Sequence, residues 1–310
     1  GLPGAQVSSK AVLLAAALGL AAAYVLHRVP AWRRRGVLVL VGVAALVLIG
    51  WRLQSAAPPP PPKGLRLTVL DVGQGDSILL EVPEGAVLVD QGPPEAEVDD
   101  QLHRLGVRRL ALLVLTHPQR DHVGGARDVL QHLEVDRALD PGIPSESPEE
   151  AAALAAARKR DVPVTRAHAG VVFRLGRLRL QLLWPDGPGT PGADPNLRAT
   201  VIAASYGKVD ALLTADAESP VTVPLSPPRV EILKVAHHGS ADEGLARLLE
   251  LTRPAVAVIS CGRNNDYGHP APSTIATLTA VPDLALFRTD LDGRVVIETD
   301  GERISTWSQR

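Results

Sequence analysis

The chain of 310 residues contains no methionine and a single cysteine, Cys261. One cysteine excludes an internal disulfide framework and any cysteine-rich zinc ribbon, and leaves the redox compartment open. Methionine is missing even from position 1, so the chain is expected to be a fragment of a longer protein or a processed one. An excess of either charge is missing too: 32 Lys and Arg face 34 Asp and Glu, for a formal net charge of −2. Such a chain has no global basic footprint, so nucleic-acid contact has to rest on a local patch or a bound metal. The length allows one large domain and a smaller module, and no short-period repeat is visible.

Charge is also absent locally, from Ala11 to Leu26 and from Gly36 to Trp51. Each stretch is slightly shorter than the roughly 20 residues of a spanning helix, but flanking residues extend both, with His27 and Arg28 snorkelling to the interface. A signal peptide after Lys10 fits loosely. A pair of buried core helices is disfavoured, because neither stretch has a polar face. A transmembrane hairpin over residues 1–53, the end of a larger membrane domain, fits best. Its connector, His27 to Arg35, carries four arginines and is expected on the cytoplasmic side. Everything after Trp51 would then lie outside the cytoplasmic membrane. Residues 54–64 read as a linker, in which Pro58 to Pro62 forms a stiff spacer at ~3.1 Å per residue.

From Leu65 onward, apolar runs alternate with turn signals. Leu65–Asp71, Ser77–Val82, Ala86–Asp90 and Leu110–Thr116 read as strands, with helices over Val98–Leu105 and Ala126–Leu133. Ser147-Pro148-Glu149-Glu150 reads as an N-cap, a first-turn proline and a capping-box glutamate. A second half repeats the plan, with strands at Val171–Leu175, Leu178–Trp184, Thr200–Tyr206, Ala211–Thr214, Val230–Val235 and Ala255–Ser260. Helices are expected over Glu243–Leu251 and Ser273–Leu278, then closing strands Arg294–Thr299 and Ile304–Trp307. Pattern alone gives mixed α and β.

The densest chemistry is Thr116-His117-Pro118-Gln119-Arg120-Asp121-His122, a loop at the end of an apolar strand. Two imidazoles and a carboxylate on one strand-held loop can converge on a metal ion. This loop belongs to an ordered series: Asp71-Val-Gly-Gln-Gly-Asp76, Asp90-Gln-Gly92, the cluster itself, Leu213-Thr-Ala-Asp216, His237-His-Gly-Ser240 and Tyr267-Gly-His-Pro270. The series resembles the C-terminal metallo-β-lactamase-like domain of ComEC-type DNA uptake proteins, over about residues 65–310. The resemblance implies an α+β fold, an αββα four-layer sandwich, here preceded by two transmembrane helices.

It also implies one or two divalent ions per domain, manganese or zinc. His117 is carried over to the first metal site, Asp121 and His122 to the second, and Asp216 to the carboxylate that bridges them. The late pair supplies a further ligand, His238 by preference and His237 as the second choice. Asp90 would orient the ligand loop from behind. Gln119 departs from the pattern, standing where a second histidine is expected, and leaves the first site with a weak neutral donor. Asp71, Asp76, His269, Lys234 and Ser240 are candidates for the substrate edge. Turn geometry alone accounts equally for Asp71 and Asp76, and solvation for Lys234.

The function implied is a metal-dependent DNA nuclease tethered outside the membrane, degrading one strand of incoming DNA. Its partners would be DNA, the membrane, the transmembrane channel domain and other uptake proteins. Two alternatives stay open. One is a non-catalytic module that guides DNA or braces the channel, with an eroded metal site. The other is a hydrolase of small esters or thioesters, since one fold hosts several chemistries.

Overall fold

The computed structural model describes residues 58–310, of which 59–310 form one compact unit. The hairpin expected over 1–53 lies outside the described residues. Among those described, no helix is long and apolar enough to cross a membrane.

The first half contains β1 (Leu65–Val69), β2 (Ile78–Val82), β3 (Gly85–Val89), α1 (Val98–Arg104), β4 (Arg109–Leu110), β5 (Leu112–Val114), α2 (Arg120–Val123), α3 (Ala126–His132), β6 (Glu134–Val135), β7 (Ala138–Asp140), α4 (Pro148–Lys159) and β8 (Val164–Arg166). The second contains β9 (Val172–Leu175), β10 (Leu178–Trp184), β11 (Val201–Tyr206), β12 (Val209–Leu213), α5 (Ser219–Thr222), β13 (Ile232–Lys234), α6 (Leu245–Thr252), β14 (Val256–Ile259), α7 (Pro272–Thr279), β15 (Ala285–Arg288), α8 (Thr289–Asp292), β16 (Val295–Thr299) and β17 (Ile304–Ser308). They build an eight-stranded sheet, β17-β16-β1-β2-β3-β5-β7-β8, and a seven-stranded sheet, β15-β14-β13-β12-β11-β10-β9. The closing strands therefore join the first sheet rather than the second half that precedes them.

Alternation along each strand explains the layering. Leu65, Leu67 and Val69 of β1 enter the core between the sheets with Leu80, Val87, Leu112, Leu180, Leu213 and Val258. Leu79, Leu88 and Leu113 face the other way and pack with Leu102, Val129 and Ala153 from α1, α3 and α4. In the second sheet Leu212, Leu233 and Ala257 pack outward with Leu245, Leu248 and Leu278 from α6 and α7. Strands covered on both faces read as continuous apolar runs, which is why the central ones were so legible. The order is helix, sheet, sheet, helix.

The expected strand Leu110–Thr116 is broken at Ala111. Leu110 and Leu113 both pack outward, and residues three apart cannot share one face of a continuous strand. The chain therefore steps from β4, paired with β6, into β5. The N-cap at α4 forms as read, with Ser147 Oγ accepting from Glu150 N at 3.2 Å. The reciprocal half of the capping box does not form, because the Glu150 carboxylate instead accepts from Ser145 Oγ.

The parallel pairs position the site. β3 and β5 run together, matching Val89 with Val114, and β12, β13 and β14 match Leu213, Lys234 and Val258. Their C-terminal ends thus leave both sheets at one edge, where parallel α/β sheets present their ligand loops.

Candidate metal centre

Three loops of the first sheet are laced together by backbone bonds. Asp76 N donates to Asp121 O at 3.1 Å, Gln91 N to His122 O at 2.7 Å, and Gly92 N to Asp76 O at 2.8 Å. This contact is why the Asp71–Asp76 segment needs its second glycine. A Cβ on Gly75, at φ +135°, would stand 2.2 Å from the Asp121 carbonyl oxygen. Asp90 fastens the next loop, accepting from Thr116 N at 3.0 Å and from Thr116 Oγ1 at 2.7 Å.

From the second sheet come Asp216, just beyond β12, and the His237-His238 pair beyond β13. Consecutive residues of an extended chain point to opposite sides. Here His237 (φ 47°) and His238 (φ 54°) both occupy the left-handed region, and the curled loop lets both rings reach Asp216. Such backbone conformations are costly without glycine and mark sites that the surrounding structure holds in place.

The two oxygens of Asp216 face two groups of side chains. Oδ1 lies 3.2 Å from His122 Nε2 and 3.5 Å from His238 Nε2. Asp121 Oδ2 closes this group, 3.2 Å from His238 Nε2 and 4.0 Å from His122 Nε2, and the two Nε2 atoms are 3.3 Å apart. Oδ2 lies 3.7 Å from His117 Nε2 and 3.8 Å from His237 Nε2. Gln119 Oε1 stands 3.2 Å from His117 Nε2, so its side chain is turned into this second group.

Every one of these imidazoles is held from behind. The Nδ1 atoms of His122, His238 and His237 donate to Asp90 Oδ2 (2.8 Å), Ser260 O (2.9 Å) and Glu218 Oε1 (2.8 Å). His117 Nδ1 is 3.1 Å from Thr116 Oγ1, whose own proton is given to Asp90. An acceptor at Nδ1 keeps the proton there, so that a ring losing its second proton offers the Nε2 lone pair inward, the usual preparation of a histidine ligand.

The donor set fits a divalent cation. Four ligands at 2.0–2.1 Å in a tetrahedron stand about 3.3 Å from one another. The Nε2 atoms of His122 and His238 lie 3.3 Å apart and each stands 3.2–4.0 Å from Asp121 Oδ2 and Asp216 Oδ1. Both oxygens of Asp216 are buried without a hydrogen-bond partner, which is costly unless a cation satisfies them.

Asp76 also belongs to the buried acidic and histidine group, together with His122, Asp216 and His238. It approaches from the wrong side. Its oxygens lie 3.5 Å from His238 Nδ1 and 4.0 Å from His122 Nδ1, behind the rings and away from the Nε2 face. It is ion-paired with Lys234, which is 1% exposed and also donates from Nζ to Ala215 O at 3.0 Å. Breaking such a buried pair by removing one partner typically costs ~3–5 kcal/mol.

Burial would raise Asp216, but the imidazoles of His122 and His238 reverse this and hold it well below the carboxylate range. Burial would likewise lower His238, yet Asp216 and Asp121 push it up to about 9, and His122 also rises. His117 behaves oppositely, depressed to about 3 by burial and by the neighbouring His122.

Several residues expected at a substrate edge lie elsewhere. Lys234 is not solvated or open to a groove, because Asp76 draws it into the interior. Asp76 itself is buried behind the rings, and Asp71 turns outward to Arg310 Nη2 at 2.9 Å. Ser240 is buried and donates to Glu218. His269 is half-buried with its ring 5.4 Å from that of His237. Sequence reasoning missed Glu218, whose only signal is its place two residues after Asp216, and the Ser260 carbonyl, which has no side-chain signal.

The sequence matches the profile of the Metallo-beta-lactamase superfamily over residues 70–263. The chain belongs to that superfamily. It is 30% identical over 252 residues to ComE operon protein 3 of Bacillus subtilis, covering 73% of this chain and 32% of that protein. It is 29% identical over 254 residues to Recombination protein 2 of Haemophilus influenzae, covering 79% of this chain and 30% of that one. The chain thus spans about a third of the length of these two relatives. Among solved structures, CmlA, a diiron β-hydroxylase from Streptomyces venezuelae, superposes with a TM-score of 0.54 at 15% identity, covering 78% of this chain and 55% of that one. That likeness concerns the fold alone.

A cation entering this superfamily site has to displace the proton that His238 carries below about pH 9. Affinity for a divalent ion should therefore climb as pH rises from 6.5 toward about 9, with proton release. Titration calorimetry in buffers of different ionisation enthalpy checks this. A pH-independent affinity would contradict it.

Proposed function

We propose that this domain is a metal-dependent phosphodiesterase that cleaves DNA, degrading one strand during uptake while tethered outside the cytoplasmic membrane. The observation that carries the reading is the pair of inward-facing donor groups on either side of the Asp216 carboxylate. The DNA context, and with it the channel domain, the membrane and other uptake proteins as partners, rests on the motif series that resembles ComEC-type uptake proteins, and the relatives named ComE operon protein 3 and Recombination protein 2 support it.

In this reading Asp121, His122, His238 and Asp216 Oδ1 hold one ion, while His117, His237 and Asp216 Oδ2 hold the other with Gln119. Divalent ions there would supply a nucleophile at neutral pH and charge stabilisation at phosphorus. The protein's part is to keep the two groups one carboxylate apart and to fix each ring through Asp90, Ser260 and Glu218. Asp121 is the more exposed of the two carboxylates, so substrate would approach from its side. A carboxamide oxygen is a weak, hard donor, so the Gln119 group would favour manganese over zinc. The same weakness is what favours a non-catalytic, DNA-guiding module.

Metal analysis with a nuclease assay decides between them. Cleavage should be abolished by chelator. Asp121→Ala and His122→Ala should lose bound metal and at least about a hundredfold in rate, ~2.7 kcal/mol of transition-state stabilisation. Metal content equal to wild type would refute the ligand assignment. Metal binding without chelator-sensitive cleavage of single- or double-stranded DNA would leave the guiding module.

Gln119→His adds an imidazole where the carboxamide already faces His117. It should raise metal stoichiometry and accelerate cleavage by about tenfold if the extra ion contributes ~1.4 kcal/mol. No gain in either would show that Gln119 does not limit the site.

A further inference from the structure

Tyr267 is the most exposed aromatic side chain among the described residues, at 70%. Among the other exposed or partly exposed aromatics of the described residues, Phe287 packs against the core between the sheets and three rings are covered by arginine. Arg294 lies over Trp307 at 5.8 Å, Arg198 over Trp184 at 5.1 Å and Arg137 over Phe173 at 5.9 Å. No such cation covers Tyr267 among the described residues.

The loop that carries Tyr267, residues 262–270 between β14 and α7, is held open by one side chain. Asn265 Oδ1 accepts from Tyr267 N and His269 N, both at 3.1 Å. Its Nδ2 donates to Gly262 O at 2.8 Å and to His269 O at 2.5 Å. Both amide donors and both acceptor positions are consumed, so the loop is fixed with the phenol ring in solvent.

The ring is also the outer step of a series that starts at the candidate metal centre. His269 lies 6.5 Å from His238 at an interplanar angle of 29°, and Tyr267 lies 6.0 Å from His269 at 30°. His269 Nδ1 is buried without a hydrogen-bond partner, an unsatisfied polar atom beside the centre.

We infer that Tyr267 is a stacking platform for an unpaired nucleobase at the mouth of the candidate metal centre; this rests on the phosphodiesterase reading. Any base offers a π-face to an aromatic ring, so stacking tolerates sequence. Within a duplex those faces are covered by neighbouring bases. The platform therefore selects single-stranded stretches or frayed ends over intact duplex. With a net charge of −2, the chain has no overall positive charge to do this alone.

The test uses the full chain and a fluorescein-labelled, phosphorothioate-linked oligothymidylate that resists cleavage, read by fluorescence anisotropy. Tyr267→Ala should weaken binding by about tenfold, while Tyr267→Phe and Tyr267→Trp bind like wild type. A closed dumbbell duplex should be bound equally by all four proteins. Wild-type metal content in Tyr267→Ala shows that the centre is intact. Unchanged affinity in Tyr267→Ala, an equal loss on the dumbbell, or no binding by wild type would overturn the platform. Tyr267-dependent binding without cleavage of an ordinary oligonucleotide would support the platform and overturn the phosphodiesterase.

Discussion

The carboxylate of Asp216 is the constraint on which the rest depends. It sits at the seam of two sheets, 1% exposed, with neither oxygen hydrogen-bonded. A bare buried charge is among the most expensive things a fold can contain. Its surroundings are arranged around that cost. Four imidazoles turn their Nε2 atoms toward it, and the acceptors behind them come from both halves of the chain: Asp90 from the first, Glu218 and Ser260 from the second. The two sheets must be docked in register for these groups to meet, so the site and the core between the sheets specify each other.

A second layer of charge lies behind the rings. Asp76 and Lys234 form an ion pair with no open path to solvent, and Lys234 also binds the carbonyl of Ala215, the residue before Asp216. One lysine thus ties the Asp71–Asp76 loop to the strand end that carries the shared carboxylate. Burial pushes Asp76 upward, and Lys234 with His238 more than offsets this, so the Asp76 carboxyl is held below its ordinary range.

The sequence made much of this legible, for identifiable reasons. Central strands such as Ile78–Val82 and Val256–Ile259 were readable because burial on both faces leaves unbroken apolar runs. The short edge strand Val164–Arg166, exposed at every position, has no such run and was missed. The His117–His122 loop and Asp216 stood out because metal-ligand chemistry needs residue types that loops otherwise use sparingly. The choice between His237 and His238 was not legible. It turns on two consecutive positive φ angles that bring both rings to opposite oxygens of Asp216, and nothing in a His-His pair announces that. Lys234 misled for a related reason, since lysine is ordinarily a surface residue and only its carboxylate partner, distant in sequence, explains its burial.

The most direct measurement of the central claim is an anomalous difference map from crystals grown with manganese or zinc. The account predicts a peak bounded by Asp121, His122, His238 and Asp216 Oδ1, on the Nε2 side of both rings. A weaker second peak is expected beside His117, His237 and Gln119. A peak on the Nδ1 side, bound by Asp76 with Lys234 displaced, or no peak at Asp216, would contradict it.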